Sequence, residues 1–254
     1  MVLSAAARRE QILEIISKEK QVRISDLKDV FNTSGVTIRS DLIHLEKKGL
    51  IERGFGTVSV KENEMKDAFD ESHIKNLAEK KKIGEYAVNL ISENESIMVY
   101  TGSTSLQIAK SLKNHKNLIV VTNSIITTYE LGKNPYIKTI MLGGYYNPDT
   151  NAVFGHHAIQ QLNDYKLDKL FLSVDGISMQ GGVTSEHPYE TEICRAVIKN
   201  AAQVIVTADY SKIGVSRFIQ IAELNEIDML ITDDKAPAEE LERIRGQGVK
   251  VVVV

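Results

Sequence analysis

The chain is poor in cysteine and has no apolar stretch long enough to cross a membrane. Its one cysteine, Cys194, cannot form an internal disulfide, which fits a reducing cytoplasm and excludes a zinc site built from several thiolates. No run approaches the ~20 apolar residues of a membrane span, and residues 1–7 lack the basic-then-apolar layout of a signal peptide. We therefore expect a cytoplasmic protein and exclude the secreted, membrane and zinc-finger classes.

Motifs for nucleotides and metals are missing as well. Neither a Gly-x-Gly-x-x-Gly sequence nor a P-loop occurs, so we expect no cofactor. The adjacent pair His156 and His157 begins a predicted helix, on which neighbouring residues face different ways, so a shared metal is not expected. Cys194 also falls on a predicted helix, and we interpret it as a small core residue rather than a nucleophile.

The composition that remains is that of a globular protein with more than one domain. Hydrophobic residues make up 43% and charged residues 26% of 254 residues, which is too apolar for disorder and longer than one average domain. The net charge is −3, and residues 1–60 hold only two more basic than acidic residues. Such a small asymmetry does not by itself indicate a nucleic-acid partner.

The hydrophobic pattern changes along the chain and predicts two domains. Residues 1–60 read as short helices followed by a hairpin, 61–79 as a charged linker, and 80–254 as an α/β domain. In the last part, nearly continuous Val- and Ile-rich runs alternate with amphipathic stretches, which indicates a mostly parallel sheet buried on both faces. The predicted strands are Ser96–Tyr100, Leu118–Thr122, Ile137–Leu142, Lys169–Val174, Val204–Ala208, Met229–Thr232 and Val249–Val254.

The N-terminal pattern predicts a winged helix-turn-helix. On the third helix, capped by Ser34, the residues Ile38, Leu42 and Leu45 form one buried stripe and leave a small polar face outside. Such a face suits the major groove of DNA, although a dimerisation or interaction module without DNA would show the same pattern. The predicted DNA contacts are Ser34, Val36, Thr37, Arg39, Ser40, His44, Lys47 and Arg53.

Polar loops follow several predicted strands of the second domain and suit an anionic ligand. Gly102 permits close backbone approach just before a helix, whose N-terminus favours an anion. Lys212 supplies a positive charge, and Asp175 is an acceptor for hydroxyl groups. Each motif alone is common as a helix cap, a turn or solvated surface, so the prediction depends on their combination. The predicted ligand contacts are Gly102, Ser103, Thr104, Ser105, Thr122, Asn123, Ser124, Asp175 and Lys212.

These motifs, in this order, resemble the DeoR family of bacterial regulators of sugar operons. The N-terminal match covers Thr37–Leu42, Leu45-Glu46, Gly49 and Arg53. The later landmarks are Thr101–Ser105, Val121–Ser124, Gly143-Gly144, Asp175-Gly176, Gly182–Thr184 and Asp209–Lys212. The resemblance covers essentially the whole chain. It implies a repressor that binds operator DNA and is released by a phosphorylated sugar in a sensor domain with the fold of ribose-5-phosphate isomerase.

Three positions depart from the family pattern. Ser40 replaces a second arginine, which removes a phosphate or base contact, and Phe55-Gly56-Thr57-Val58 makes the wing bulkier than the usual His/Tyr-Gly-Gly-Ala. Tyr100 replaces an aspartate just before the Gly102 loop, which removes an acceptor for a sugar hydroxyl and narrows the pocket. A smaller or differently oriented effector, or a degenerate pocket, would follow.

Two other functions compete with the regulator. One is a phosphosugar aldose–ketose isomerase with an accessory headpiece, which needs a positioned base. The pattern of such isomerases has a further Asp and Glu just past the Asp-Gly pair, where this chain has Ile177-Ser178-Met179 after Asp175-Gly176. The other is a sugar-phosphate binding module without a DNA function. As a helix-turn-helix protein, the chain is expected to form a homo-oligomer, a dimer or a tetramer. Lys80, Lys81 and Lys82 are expected to form a solvated face.

Overall fold

The computed structural model describes residues 5–19, 21–47, 51–60 and 74–254. The chain divides into two compact units, Met1–Ala68 and Phe69–Val254. Within the described residues, no helix is both long and apolar enough to span a bilayer. The predicted fold class is confirmed: a winged helix-turn-helix unit precedes a larger α/β unit.

The first unit contains three helices and a three-stranded antiparallel sheet. Ile12, Ile16 and Leu27 are buried with the predicted stripe of the third helix and with apolar residues of the strands, and together they form one small core. The elements are α1 (Ala5–Glu19), β1 (Gln21–Arg23), α2 (Ile24–Val30), α3 (Gly35–Lys47), β2 (Ile51–Arg53) and β3 (Thr57–Val60). The pairing of β2 with β3 confirms the predicted hairpin, whereas β1, which adds to β3, was not predicted.

The second unit is built on a seven-stranded parallel sheet. Its strands are β4 (Ser96–Val99), β5 (Leu118–Thr122), β6 (Ile137–Met141), β9 (Lys169–Ser173), β12 (Val204–Thr207), β14 (Met229–Thr232) and β15 (Lys250–Val253). They lie in the order β15-β14-β12-β9-β4-β5-β6, so all seven predicted strands share one sheet. The order reverses direction between β4 and β9, and ligands of open parallel sheets bind outside the carboxyl ends of the strands at such a point.

Alternation along the strands divides the core into two layers. Met98 and Val206 belong to one buried cluster, whereas the neighbouring Ile97 and Ile205 belong to the other, because successive side chains point to opposite faces of a strand. Helices cover both faces. They are α4 (Leu77–Val88), α5 (Ser103–Ser111), α6 (Ile125–Leu131), α7 (His156–Asn163), α8 (Thr191–Asn200) and α9 (Ala238–Arg245).

Within the described residues of the second unit, five short strands lie outside the main sheet and were not predicted. Tyr145–Asn147 (β7) pairs with Ala152–Phe154 (β8), and Gly182–Ser185 (β11) lies between Gly176–Ser178 (β10) and Ile219–Ala222 (β13). The second of these small antiparallel sheets follows the carboxyl end of β9. It therefore places the segment after Asp175 beside the point where the strand order reverses.

Candidate functional site

The loop between β4 and α5 is held in a backbone conformation that only glycine tolerates. Gly102 has φ +138°, and a Cβ atom there would lie 2.5 Å from the Cβ of Ser173 at the end of β9. Ser173 Oγ accepts a hydrogen bond from the amide of Ser105 (3.0 Å) and lies 2.7 Å from Ser105 Oγ. The two strands at the reversal point are thus joined through the predicted loop, in which Ser103 is half-buried and Thr104 is buried.

The Thr122–Ser124 segment is bonded mostly to the protein itself. Asn123 is fully buried; its Oδ1 accepts from the amide of Thr101 (2.9 Å), and its Nδ2 donates to the carbonyl of Val153 (3.3 Å). Thr122 Oγ1 accepts from the amide of Ser124 (3.1 Å), and Ser124 Oγ caps α6. These side chains hold the ends of β4, β5 and β8 together and form the floor of the predicted site.

Asp175 and Lys212 are brought together from different strands. Lys212 Nζ lies 3.9 Å from Asp175 Oδ1, and about a third of each side chain is exposed. Asp175 Oδ2 accepts from the amide of Glu186 (3.0 Å), and Arg217 Nε lies 3.3 Å from the carbonyl of Asp175, to which it donates. Arg217 was not predicted, since no motif surrounds it. A half-buried cation and carboxylate therefore follow strands β12 and β9, and β9 lies next to β4 in the sheet.

A second carboxylate, Glu190, lies behind Asp175. Ser185 Oγ is 3.0 Å from Glu190 Oε2 and 3.2 Å from Asp175 Oδ2, and it also accepts from the amide of His187 (3.1 Å). One hydroxyl proton serves one carboxylate at a time. Burial, and then the charge of Asp175, raise the pKa of Glu190 to about 7. At neutral pH Glu190 is therefore only partly ionised, and its ionised form accepts the hydrogen bond of Ser185.

Sequence reasoning missed Glu190 because it considered only the residues directly after Asp175. Glu190 is 15 positions further along the chain, and the hairpin β10–β11 returns it to the site. In the sequence, Glu190 is marked only by its position in a short turn after a strand. Such positions are too common to indicate a functional residue.

Tyr100 and Cys194 belong to the core beneath this site. Tyr100 is fully buried, and burial raises the pKa of its hydroxyl well above the usual value. Cys194 lies beside it on α8, and burial likewise raises the pKa of its thiol. A thiol that resists ionisation is a poor nucleophile, so the interpretation of Cys194 as a core residue is confirmed. Tyr100 fills the volume that a smaller aspartate would leave open.

Lys80 corrects one prediction. It was expected on a solvated face with Lys81 and Lys82, but only 4% of its surface is exposed. Its Nζ donates to the carbonyl of Lys75 (2.8 Å) and lies 3.7 Å from Asp209 Oδ2. Lys81 and Lys82 are exposed as expected. A buried ammonium group requires such partners, and the carboxylate comes from more than a hundred residues away.

The outer face of α3 carries the predicted DNA contacts. Ser34, Val36, Arg39, Ser40, Lys47 and Arg53 are exposed, and Thr37 and His44 are half-buried. Ser34 Oγ accepts from the amide of Thr37 (3.2 Å), which confirms the predicted cap. Arg53 already pairs with Glu46 at 2.8 Å. Phe55, fully exposed between β2 and β3, is an apolar side chain at the wing tip that was not among the predicted contacts.

Asp41 anchors this face from behind. It is buried, and its two oxygens accept from Arg8 Nε (2.6 Å) and Arg9 Nε (2.7 Å). The predicted stripe held the signal, since Asp41 lies three residues after Ile38 and four before Leu45. The two ion pairs join α1 to α3 and set the orientation of the outer face.

Among residues 5–19, 21–47, 51–60 and 74–254, no three His, Cys, Asp or Glu side chains cluster as metal ligands would. The site is therefore described by its hydroxyl, carboxyl and ammonium groups and by the N-terminus of α5.

Comparison with known proteins identifies both units. Residues 8–64 match the model of a DeoR-like helix-turn-helix domain, and residues 75–234 match that of a DeoR C-terminal sensor domain. The chain is 30% identical to the HTH-type transcriptional regulator GolR of Listeria innocua, over 97% of each protein. It is 33% identical to the HTH-type transcriptional repressor GlcR of Bacillus subtilis, over 87% of this chain and 86% of that protein.

Several solved structures are similar to the chain over about half its length. Ribose 5-phosphate isomerase A of Methanocaldococcus jannaschii superposes with a TM-score of 0.41 at 19% identity, covering 54% of this chain and 55% of that one.

Proposed function

The chain belongs to the DeoR family of transcription regulators, and we propose that it is a repressor of a sugar-utilisation operon, released from its operator by a phosphorylated sugar. The family and its named relatives confirm a DNA-binding regulator over the isomerase. The observation that carries the proposed effector is the site at the reversal point of the sheet. There the N-terminus of α5, Lys212 and Asp175 supply groups for the two ends of a phosphosugar.

The phosphate end of the ligand belongs at the N-terminus of α5. The first amides of a helix have no partner within the helix and attract an anion. Gly102 lets a ligand approach this turn closely, and Ser103 and Thr104 add hydroxyl donors. Lys212 provides the compact charge that phosphate prefers. Ser105, Thr122, Asn123 and Ser124 hold the frame, since their side chains already bond to the protein.

The sugar end belongs at the carboxylates. The side chain of Asp175 is about one third exposed, and a carboxylate accepts hydrogen bonds from hydroxyl groups. Glu190 and Ser185 stand behind it and fix its orientation through the hydrogen bond of Ser185. Lys212, now near Asp175, exchanges that contact for the phosphate when the ligand binds. The site therefore needs both a charged group and a hydroxyl group on its ligand.

Replacing Lys212 by alanine is expected to abolish the response to inducer. Losing a charge-assisted hydrogen bond weakens phosphosugar binding by about 1.5–3 kcal/mol, or roughly 10- to 160-fold. Operator affinity without sugar stays unchanged, because Lys212 lies in the sensor unit. Calorimetry with sugar phosphates and a gel shift on operator DNA measure the two effects. Lys199→Ala, an exposed lysine on α8, is the control, and undiminished phosphosugar affinity in Lys212→Ala would remove Lys212 from the site.

The operator belongs against the outer face of α3. Short, mostly polar side chains let the helix enter the major groove, with Arg39 on its flank reaching a base or a phosphate. The wing contributes Phe55 at its tip and Arg53 at its base. Two copies reading paired half-sites would form the homo-oligomer, a dimer or a tetramer, that we propose with this function.

Replacing Arg39 by alanine is expected to weaken operator binding by about 1–3 kcal/mol. If Arg39 contacts a phosphate, the loss is similar on all sequences and the salt slope falls by about 1. If it contacts guanine, the loss is confined to one base position, and Arg39→Lys does not restore it, since a lysine lacks the bidentate fork. Fluorescence anisotropy at several salt concentrations separates these outcomes. A folded Arg39→Ala protein with normal operator affinity places Arg39 outside the interface.

A further inference from the structure

Lys212 is carried by a short turn that buried carboxylates hold in place. Tyr210–Lys212 is one 3-10 turn, capped by Asp209, whose Oδ1 accepts from the amide of Ser211 (3.1 Å) and from Ser211 Oγ (2.6 Å). The fully buried Asp233 accepts from the amide of Tyr210 (2.7 Å). The position of the Lys212 ammonium group therefore depends on the position of Asp209.

The same carboxylate is bonded to the beginning of α4. Asn76 Nδ2 donates to Asp209 Oδ1 (2.8 Å), and Lys80 Nζ lies 3.7 Å from Asp209 Oδ2. Tyr210 in turn donates its hydroxyl to Asn76 Oδ1 (3.3 Å). Both ends of the Asn76 amide are thus used by the turn that carries Lys212. Asn76, Lys80 and Asp209 are called the capping cluster below.

The backbone of Asn76 has an uncommon conformation at this contact. Its φ is +55°, in the left-handed region, which a non-glycine residue adopts at a cost repaid by its surroundings. Asn76 is the residue immediately before α4. Its carbonyl accepts the first hydrogen bond of the helix, from the amide of Lys80 (3.0 Å). A displacement of Asp209 therefore acts directly on the first turn of α4.

The charged groups of the capping cluster also interact with the charge of Lys212. Burial lowers the pKa of Lys80, the charge of Asp209 raises it, and the charge of Lys212 lowers it. Lys80 and Lys212 therefore repel each other in the protein without a ligand. An anion bound by Lys212 reduces this repulsion and strengthens the pairing of Lys80 with Asp209.

We propose that Asn76 and Asp209 are positioning residues that hold Lys212 and transmit effector binding to the first turn of α4. Along the chain, α4 begins at Leu77, shortly after the first unit ends at Ala68. A ligand that shifts Lys212 shifts Asp209 and, through Asn76 and Lys80, the start of this helix. The proposal rests on the proposed function of the site and adds the residues that couple it to DNA release.

Asn76→Gly is the test variant, because glycine keeps the left-handed backbone while the side chain and both hydrogen bonds of its amide are removed. Asn94→Gly is the matched control: Asn94 has φ +66° and is exposed, away from the cluster. Operator DNA is taken from the promoter region of the chain's own gene. The sugar probes are ribose 5-phosphate, glucose 6-phosphate, fructose 1-phosphate and N-acetylgalactosamine 6-phosphate.

Two readouts are expected to change only in Asn76→Gly. The first readout uses the sugar phosphate that weakens operator binding most in the wild type. We expect Asn76→Gly to bind this sugar phosphate with an affinity within a few-fold of the wild type. We also expect the bound sugar phosphate to weaken the operator binding of Asn76→Gly little or not at all. Without sugar, hydrogen exchange in the peptide covering residues 209–213 becomes several-fold faster in Asn76→Gly and is unchanged in Asn94→Gly.

The outcomes separate this inference from the function on which it rests. A wild type that responds to none of the sugars contradicts the proposed effector, and the exchange measurement then still decides whether Asn76 positions the Lys212 turn. An Asn76→Gly protein with the wild-type response to sugar overturns the coupling. Unchanged exchange at residues 209–213 overturns the positioning role.

Discussion

Replacing Gly102 by alanine is expected to destabilise the sensor unit by about 3–5 kcal/mol and to abolish phosphosugar binding. The backbone at φ +138° strains any residue with a Cβ, by about 1–3 kcal/mol. The new methyl group also lies 2.5 Å from Ser173 Cβ, which is not the movable end of a side chain. Relieving that overlap separates β4 from β9 at the proposed ligand site, so we expect stability and binding to be lost together.

Gly155→Ala is the matched control for this substitution. Gly155 also has a positive φ (+94°) and precedes a helix, but nothing lies within 4 Å of an added Cβ atom. It therefore reports the backbone strain alone, about 1–2 kcal/mol. Scanning calorimetry gives both stabilities, and isothermal titration with sugar phosphates gives the affinities. If Gly102→Ala loses no more stability than Gly155→Ala, the contact between the two strands does not limit the site.

Replacing Asp41 by alanine is expected to destabilise the DNA-binding unit by about 3 kcal/mol and to abolish operator binding. Asp41 is buried and pairs with both Arg8 and Arg9, and removing one partner of a buried ion pair is strongly unfavourable because charge is left behind. A unit with so small a core has little stability to lose. We expect the packing of α3 against α1 to be lost first.

Hydrogen exchange resolves this effect by peptide. Amides of α1 and α3 are expected to exchange faster in Asp41→Ala, while those of the parallel sheet are unchanged. Asp29→Ala, an exposed aspartate on α2, controls for loss of charge. Retained protection of α3 in Asp41→Ala would show that the apolar core alone sets its orientation.

The main sheet was predictable because its central strands are buried on both faces. A run such as Leu118–Thr122 is nearly all apolar, and its length matches a strand. The short strands Gln21–Arg23 and Gly176–Ser178 lack such a signal. They exist because distant segments pair with them, and three residues are too few to show a period of two.

The site was predictable where its residues follow buried strands, as at Gly102 and Asp175. It was not predictable where a charged residue is buried by a partner from elsewhere in the chain. From the sequence, Lys80 is interpreted as a surface residue, but in the structure it is buried beside Asp209. Glu190 is interpreted as a turn residue, but the β10–β11 hairpin brings it close to Asp175. Only Asp41 carried a local signal, through its place on the apolar stripe of α3.

Coupling between the two ligands is the property that a sugar-released repressor must have. A ligand weakens DNA binding only if it has different affinities for the DNA-binding conformation and the released conformation of the protein. This coupling is reciprocal, so DNA weakens ligand binding by the same factor. Calorimetric titration of the full chain with sugar phosphates, with and without saturating operator DNA, measures it directly. We expect operator DNA to weaken phosphosugar binding by the same factor by which the phosphosugar weakens operator binding, and the unphosphorylated sugar to bind far more weakly. Equal phosphosugar affinity with and without operator would contradict release by this ligand, and equal affinity for the sugar and its phosphate would contradict the anion site at Gly102 and Lys212.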